Sequence, residues 1–438
     1  MAKSKSKKKQ KQTKELVILI ILIFISAGLL TAMFTLYNQR KKQINSSEDV
    51  QIPALPEDET IATVPVTPSE QPVETIPETT EVQDEYAQRA EQMLQEMSIE
   101  DKIYQMFIVT PEVLVDNAVS TVVQTGNMSK EYLEKKPVGG LVYFAQNLEN
   151  EAQALEMIST AQNYVQSVNH HIGMWIAVDE EGGTVARVAD NLGTTAFEDM
   201  SVYGELNQKD EVFMMGSTIA EDIAKFGFNL DFAPVTDVYI NPANELQNRI
   251  FSDDPAVVSD MVSAMVQGLQ NSGEVSATLK HFPGLGAEDG NTHEDAFTRI
   301  DRTYEELTSV DFLPFESGIQ AGADFVMVGH QIISCAEDDL PSDLSPTVIT
   351  EWLRQNLGFN GIVITDAHNM HTITDNYSSG EAALLAVQAG ADIVLMPSDL
   401  NDAFDTLKAA VDNGELSEER VDESVRRILT VKAKHHLL

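Results

Sequence analysis

The alternation of short apolar runs with amphipathic stretches between residues 86 and 438 predicts an α/β protein, a (β/α)8 TIM-like barrel. Three observations carry that prediction. Eight runs have the length and composition of strands: Phe107–Thr110, Gly140–Phe144, Trp175–Asp179, Leu230–Pro234, Ser276–Phe282, Phe325–His330, Gly361–Asp366 and Asp392–Met396. The stretches between them are long enough for helical crossovers, as a parallel sheet requires. The third is an internal echo: Gln320-Ala-Gly-Ala-Asp324 and Gln388-Ala-Gly-Ala-Asp392 each precede an apolar run. In both, a glycine able to take a left-handed cap ends a helix and a strand starts at once. A doubly wound open sheet is the alternative, and it also binds ligands at the carboxyl ends of its strands.

Three segments precede the barrel. Residues 1–15 form a basic tail with seven lysines. Leu16–Tyr37 is a run of 22 residues without a charge, matching the roughly 20 apolar residues that span a bilayer. It reads as a transmembrane helix, because no small-residue cleavage site follows it and no cysteine offers a lipid attachment. The lysine cluster outweighs Arg40, Lys41 and Lys42, so the N-terminus is expected in the cytoplasm and the rest outside, single-pass in the cell membrane. Residues 38–85 are Pro-, Glu- and Thr-rich, without an aromatic residue from 43 onward, and are expected to be a disordered linker.

Up to Lys42 the chain has ten bases and one acid, which leaves 19 bases against 68 acids, a net charge of −49, for the remainder. Such a surface repels nucleic acid and anionic lipid. The single Cys335 rules out an intrachain disulfide framework and a thiolate metal cluster. Ser345-Pro346 and Asp254-Pro255 read as helix starts and Gly358 as a helix stop. The methionines, Met214-Met215 among them, read as core filler. His170-His171 and His368-Asn-Met-His371 lack metal-ligand spacing and read as structural or sugar-facing, so no metal and no organic cofactor is expected.

Ionisable groups fall at the carboxyl ends of several predicted strands: Asp179, Lys280-His281, His330 and Asp366. In a (β/α)8 barrel that end carries the active site. The stretch Lys280-His-Phe-Pro-Gly-Leu-Gly-Ala-Glu-Asp-Gly-Asn-Thr-His293 follows a strand directly. It sets a cation, two imidazoles, an amide and carboxylates around a Gly/Pro backbone that cannot be helical.

Five separated motifs resemble glycoside hydrolase family 3, in the family's order. They are Asp179-Glu-Glu-Gly-Gly-Thr-Val-Ala-Arg187, Phe232-Ala-Pro-Val, Asn248-Arg-Ile-Phe-Ser-Asp-Asp-Pro255, Lys280-His-Phe-Pro-Gly and Ile364-Thr-Asp-Ala-His-Asn-Met370. The similarity is greatest to the single-domain bacterial β-N-acetylglucosaminidase branch. It implies a (β/α)8-like catalytic barrel over residues 86–438 and retaining hydrolysis of terminal β-linked N-acetylglucosamine through a covalent glycosyl-enzyme. Asp366 matches the nucleophile, and on the residues alone it could instead cap a helix starting at Ala367. His293 matches the acid/base, an imidazole that gives and takes a proton near neutral pH. Asp179, Arg187, Arg249, Lys280 and His281 would hold the sugar, although Arg187 could equally be an ion-pair partner.

Two positions depart from the family pattern. The family's Asp-Ser-His reads Asn291-Thr-His293 here, and an amide orients an imidazole without stabilising its cation. Leu285 stands where histidine is frequent. The expectation is a membrane-tethered, monomeric catalytic domain acting on cell-wall-derived glycans. A phosphorylase using inorganic phosphate and a catalytically weak glycan-binding envelope protein are the alternatives.

Overall fold

The computed structural model describes residues 79–288 and 298–438, and all eight apolar runs become strands of one parallel sheet. These are β1 (Phe107–Val109), β2 (Gly140–Val142), β3 (Trp175–Val178), β4 (Leu230–Asp231), β5 (Ser276–Phe282), β6 (Phe325–Val328), β7 (Ile362–Thr365) and β8 (Val394–Leu395). Most are shorter than the runs that predicted them. Asp179, Pro234, His330 and Asp366 lie just past the strands, where the chain turns into loops and a strand-end functional group belongs.

The strand order is β7-β6-β5-β4-β3-β2-β1-β8. The two ends meet at a parallel bridge between Ile364 and Ile393, where Thr365 N–H donates to Ile393 O at 3.0 Å and Ile393 N–H to Val363 O at 3.1 Å. The sheet is therefore nearly closed into a barrel, consistent with the TIM-like prediction and not with the open sheet. Each strand leads into a helical crossover: α1 (Asn127–Lys135), α2 (Glu151–Ser167), α3 (Lys209–Ala224), α4 (Pro255–Leu269), α5 (Phe312–Gln320), the wide π-type α6 (Thr347–Asn356), α7 (Ser379–Ala389) and α8 (Leu400–Asn413), with α9 (Glu418–Lys434) last.

The turn chemistry follows the sequence. Asp254 caps α4 by accepting from Ala256 N–H at 2.9 Å, with Pro255 in the first turn. Ser345 Oγ accepts from Val348 N–H at 3.0 Å ahead of α6, and Gly358 ends that segment at φ 70°. The echo glycines Gly322 and Gly390 sit at φ 94° and 121°, as a left-handed helix end requires. The methionine reading needs one correction: Met215 is buried, but Met214 is 61% exposed. The buried stripe of α3 runs through Val212, Met215, Gly216, Ile219, Ala220 and Ile223, and Met214 falls outside it.

A helix already begins at Thr79, inside the stretch read as linker, and runs to Glu96. Its Ala90 and Leu94 are buried, and Glu91 pairs with Arg426 of α9 at 2.9 Å. The basic tail, the candidate transmembrane helix and the rest of the linker lie outside the described residues. Among the described residues no helix is long and apolar enough to cross a membrane.

Buried ion clusters mark the amino-terminal end of the barrel. Asp392 lies within ion-pair range of Arg354, Arg420 and Arg427, and Asp324 pairs with Lys434 at 2.6 Å and His435 at 2.9 Å. Both aspartates precede strands, at the face that serves stability and not chemistry.

Candidate active site

At the opposite face, the loops after the strands enclose a cavity of about 600 Å³. The loop after β5 is shaped by close approach. A Cβ on Gly286 would meet Val238 O at 1.7 Å, so only glycine lets the backbone dock there, and Gly286 O then accepts from Asn241 N–H at 2.9 Å. Gly284, at φ 129°, supplies the turn before it. Buried Asp237 anchors this loop from the inside. Its carboxylate accepts from Leu285 N–H at 2.6 Å and from His281 N–H at 3.2 Å, and it lies 2.9 Å from His281 Nδ1. Because a carboxylate only accepts, His281 carries its proton on Nδ1 and turns Nε2 away from it.

A compact ion cluster joins the ends of β3 and β5. A two-strand antiparallel pair, Glu180–Gly182 with Val185–Ala186, carries the Asp179-Glu-Glu-Gly-Gly motif. Alternation along it sends the two glutamates to opposite sides. Glu180 turns inward to accept from Val188 N–H at 2.6 Å and Ala189 N–H at 3.0 Å, and its burial pushes its carboxyl up to about 7 despite those bonds. Glu181 faces the cavity, binding Arg249 through both oxygens at 2.7 and 2.8 Å and Lys280 Nζ at 2.6 Å. Burial opposes its charge, but Lys280 and Arg249 outweigh burial and hold it down to about 2. Lys280 Nζ also reaches Asp179 Oδ1 at 2.9 Å. Burial works against the lysine's charge as well, yet Asp179 and Glu181 keep its pKa above the ordinary lysine value.

Exposure separates holders from contacts. Glu181 and Lys280 side chains are 2% and 3% exposed, whereas Asp179 and Arg249 are 20% and 24% exposed and open to the cavity. Among the described residues Asp179 keeps an unused acceptor and Arg249 unused donors, both preorganised by Glu181 and Lys280. That combination suits vicinal hydroxyls, which give and take hydrogen bonds at once.

Across the cavity Asp366 follows the last residue of β7. Its N–H donates to Val328 O at 2.8 Å, continuing the ladder, and its Oδ1 accepts from Ala367 N–H at 2.7 Å. Burial raises its pKa, but the charges of His330 and His281 prevail and hold it below the usual aspartate value. It is an ionised carboxylate at a cavity wall. The helix-cap alternative is not realised, since the next helix is His371–Thr374, capped at Met370.

A model of the glycosyl hydrolase family 3 N-terminal domain matches residues 98–431. The chain belongs to glycosyl hydrolase family 3. It is 30% identical over 331 residues to the beta-hexosaminidase A of Pseudoalteromonas piscicida, covering 69% of this chain and 54% of that protein. It is 31% identical over 325 residues to the beta-hexosaminidase of Nitrosomonas eutropha, covering 71% and 89%. Among solved structures, the family 3 beta-N-acetylglucosaminidase of Paenibacillus sp. str. FPU-7 superposes with a TM-score of 0.72 at 30% identity, over 78% of this chain and 63% of that one. The chain thus spans about half the length of the P. piscicida relative and less than two thirds of the Paenibacillus chain.

Within this family 3 fold, Asp179, Arg187, Arg249, Lys280, His281 and Asp366 all line one cavity, as expected of one site. Arg187 makes no ion pair among the described residues, and its buried Nε has no partner there, so the ion-pair alternative is not seen among them. Asn291 and His293 lie outside the described residues. Leu285 also lines the cavity. The remaining histidines are not sugar-facing: His170 lies 3.5 Å from Asp101, His371 lies 3.7 Å from Asp375, and His171 and His368 do not line the cavity. Among the described residues no group of three His, Cys, Asp or Glu side chains is placed to hold a metal. The sequence reading missed the roles of Glu181 and Asp237. Glu181 stood inside a quoted motif, where only pairing to Lys280 and Arg249 distinguishes it from Glu180, and Asp237 stood two residues past Phe232-Ala-Pro-Val.

Proposed function

We propose that this chain is a retaining β-N-acetylhexosaminidase that removes terminal β-linked N-acetylglucosamine. The observation that carries the reading is the placement of an ionised Asp366 in the same cavity as the Asp179–Lys280–Glu181–Arg249 cluster. The cluster fits sugar hydroxyls, and Asp366, with Oδ1 tied to Ala367, has Oδ2 free to attack the anomeric carbon. In the first step a C–O bond forms to Asp366 while the glycosidic bond breaks, and the departing oxygen takes a proton from His293. In the second, His293 takes a proton from water, whose oxygen displaces Asp366 and leaves the product with its original configuration. The names of the relatives, beta-hexosaminidase and beta-N-acetylglucosaminidase, support the N-acetyl sugar.

The uncharged run Leu16–Tyr37 supports a single-pass anchor with the barrel outside the cytoplasm, where cell-wall-derived glycans are the available substrates. Asn291 favours one alternative, a phosphorylase, because a weaker base suits an anion that needs no deprotonation better than it suits water.

The test is turnover of a chromogenic β-N-acetylglucosaminide by the full-length chain, with and without phosphate. Release of free N-acetylglucosamine, lost in Asp366→Asn and His293→Ala, is the expected result. Sugar 1-phosphate as the main product would establish the phosphorylase instead. Glycan binding without turnover in any protein would leave a binding protein.

A further inference from the structure

Beneath Asp366 lies a second ionisable group that the proposed reaction does not use. Asp343, fully buried, stands between two buried histidines, His330 at the end of β6 and His368 two residues past Asp366. Its Oδ2 accepts from His368 Nε2 at 2.8 Å and lies 3.1 Å from His330 Nδ1. The contact to His330 is a charge contact, not a linear hydrogen bond, since Nδ1 has no well-directed partner. His330 Nε2 lies 3.1 Å from Ala367 O. The backbone ties the group to the sheet, with Asp343 N–H donating to Gly329 O at 3.1 Å and His368 N–H to Leu395 O at 2.9 Å.

We propose that His330 is a positioning residue for Asp366: kept as an imidazolium by Asp343, it grips the carbonyl of Ala367 and supplies the positive charge against which the nucleophile stays ionised. This inference rests on the reading of Asp366 as nucleophile.

The ring's surroundings favour that charge state. Ala367 O is an acceptor, so Nε2 carries a proton. Beside Nδ1 stands the anionic Asp343 Oδ2 at 3.1 Å, which favours a second proton there over a lone pair facing a negative charge. His368 Nε2 holds the same carboxylate oxygen, Asp343 Oδ2, at 2.8 Å. The electrostatics agree. Burial alone would lower the His330 pKa, but Asp343 first and Asp366 after it raise it to about 9. The charged and titratable groups facing Asp366 are His330, His281 and Lys280, and those facing His330 are Asp343, Asp366 and His368, whose ring centre is 5.8 Å away.

Three full-length proteins test this: wild type, His330→Gln and Asp343→Asn. Glutamine can still donate to Ala367 O but carries no charge. His330→Gln is expected to lower kcat by about 10- to 100-fold, less than the roughly 10²- to 10³-fold lost with a donor at the reacting atoms because His330 acts through Ala367, and to move the acidic limb of the kcat/KM profile to higher pH. Asp343→Asn frees His330 to lose its proton, so a new loss of activity on the alkaline side is expected. A merely structural role would lower the melting temperature and leave both limbs in place, and that result would overturn the proposal. A second readout needs no turnover. In ¹⁵N-histidine-labelled wild type, assigned with His330→Gln, both His330 nitrogens should be protonated at pH 7.5, and a neutral ring there would sink the idea. An inactive wild type with a protonated His330 would count against the hydrolase reading while supporting the charge relation.

Discussion

Asp366 and His330 hold opposite ends of one residue, Ala367. The carboxylate of Asp366 accepts the Ala367 N–H at 2.7 Å, and His330 Nε2 lies 3.1 Å from the Ala367 carbonyl. The first contact occupies Oδ1, so that in the proposed mechanism Oδ2 is the attacking atom. The second fixes the turn that aims it. Since β6 and β7 are paired along their length from Phe325–Ile362 to Val328–Thr365, both side chains issue from one rigid edge of the barrel.

Asp366→Asn removes the attacking anion without changing shape. Turnover of a β-N-acetylglucosaminide should fall by about 10³-fold or more, the scale seen when a covalent catalyst is deleted. Mass spectrometry of wild type with a slow fluorinated substrate should show the sugar on the peptide bearing Asp366. Labelling of another carboxylate would reassign the nucleophile.

Asn291→Asp restores a carboxylate two residues before His293. A hydrogen bond to a charged group contributes about 1.5–3 kcal/mol, so kcat/KM should rise by about 10- to 100-fold. Steady-state kinetics at neutral pH measure it, and an unchanged or lower value would show that Asn291 does not limit the acid/base step.

Glu181→Gln leaves Lys280 and Arg249 facing each other without their shared anion. Breaking a buried pair in this way costs about 3–5 kcal/mol, read by urea unfolding at pH 7. The sign with pH follows from the depressed pKa: Glu181 contributes stability above its ordinary value of 4.5, and that contribution is lost as pH falls through about 2. The gap between wild type and variant should therefore close on acidification. A gap independent of pH would mean that packing, not charge, is at stake.

Asp231→Asn should behave in the opposite sense. Asp231 is fully buried on β4, accepts Glu180 N–H at 2.9 Å through Oδ1, and has no partner for Oδ2 among the described residues. Burial pushes its pKa well above the ordinary value. A carboxyl that prefers its proton when folded contributes stability at low pH and loses it as pH rises. The melting temperature of the amide variant relative to wild type should thus be higher at pH 8 than at pH 5, and equal differences at both would refute the assignment.

Periodicity and composition made the eight strands legible, because a parallel strand buried on both faces must be an apolar run and a crossover must be long. The glycine inside each echo was legible for a similar local reason, since only the backbone at that residue matters. The edges were less so. Residues 79–85 read as linker because their composition is polar, yet they join a helix whose later turns pack on α9, and sequence shows no such distant partner. Met214 and Met215 are alike in composition and differ only in which faces the core.

For the site, the residue types at strand ends and the five motifs pointed to side chains that line one cavity: Asp179, Arg187, Arg249, Lys280, His281 and Asp366. What the sequence could not order was their pairing. That Glu181 and not Glu180 joins Lys280 to Arg249, that Asp237 fixes His281, and that Asp343 and His330 stand behind Asp366 depend on contacts between distant positions, 68 apart for Arg249–Glu181 and 44 apart for His281–Asp237. Residue identity fixes what a group can donate, accept or titrate. Only barrel closure brings an acceptor within 3 Å of a donor in a buried place, and there the interaction is strong enough to decide which groups stay charged.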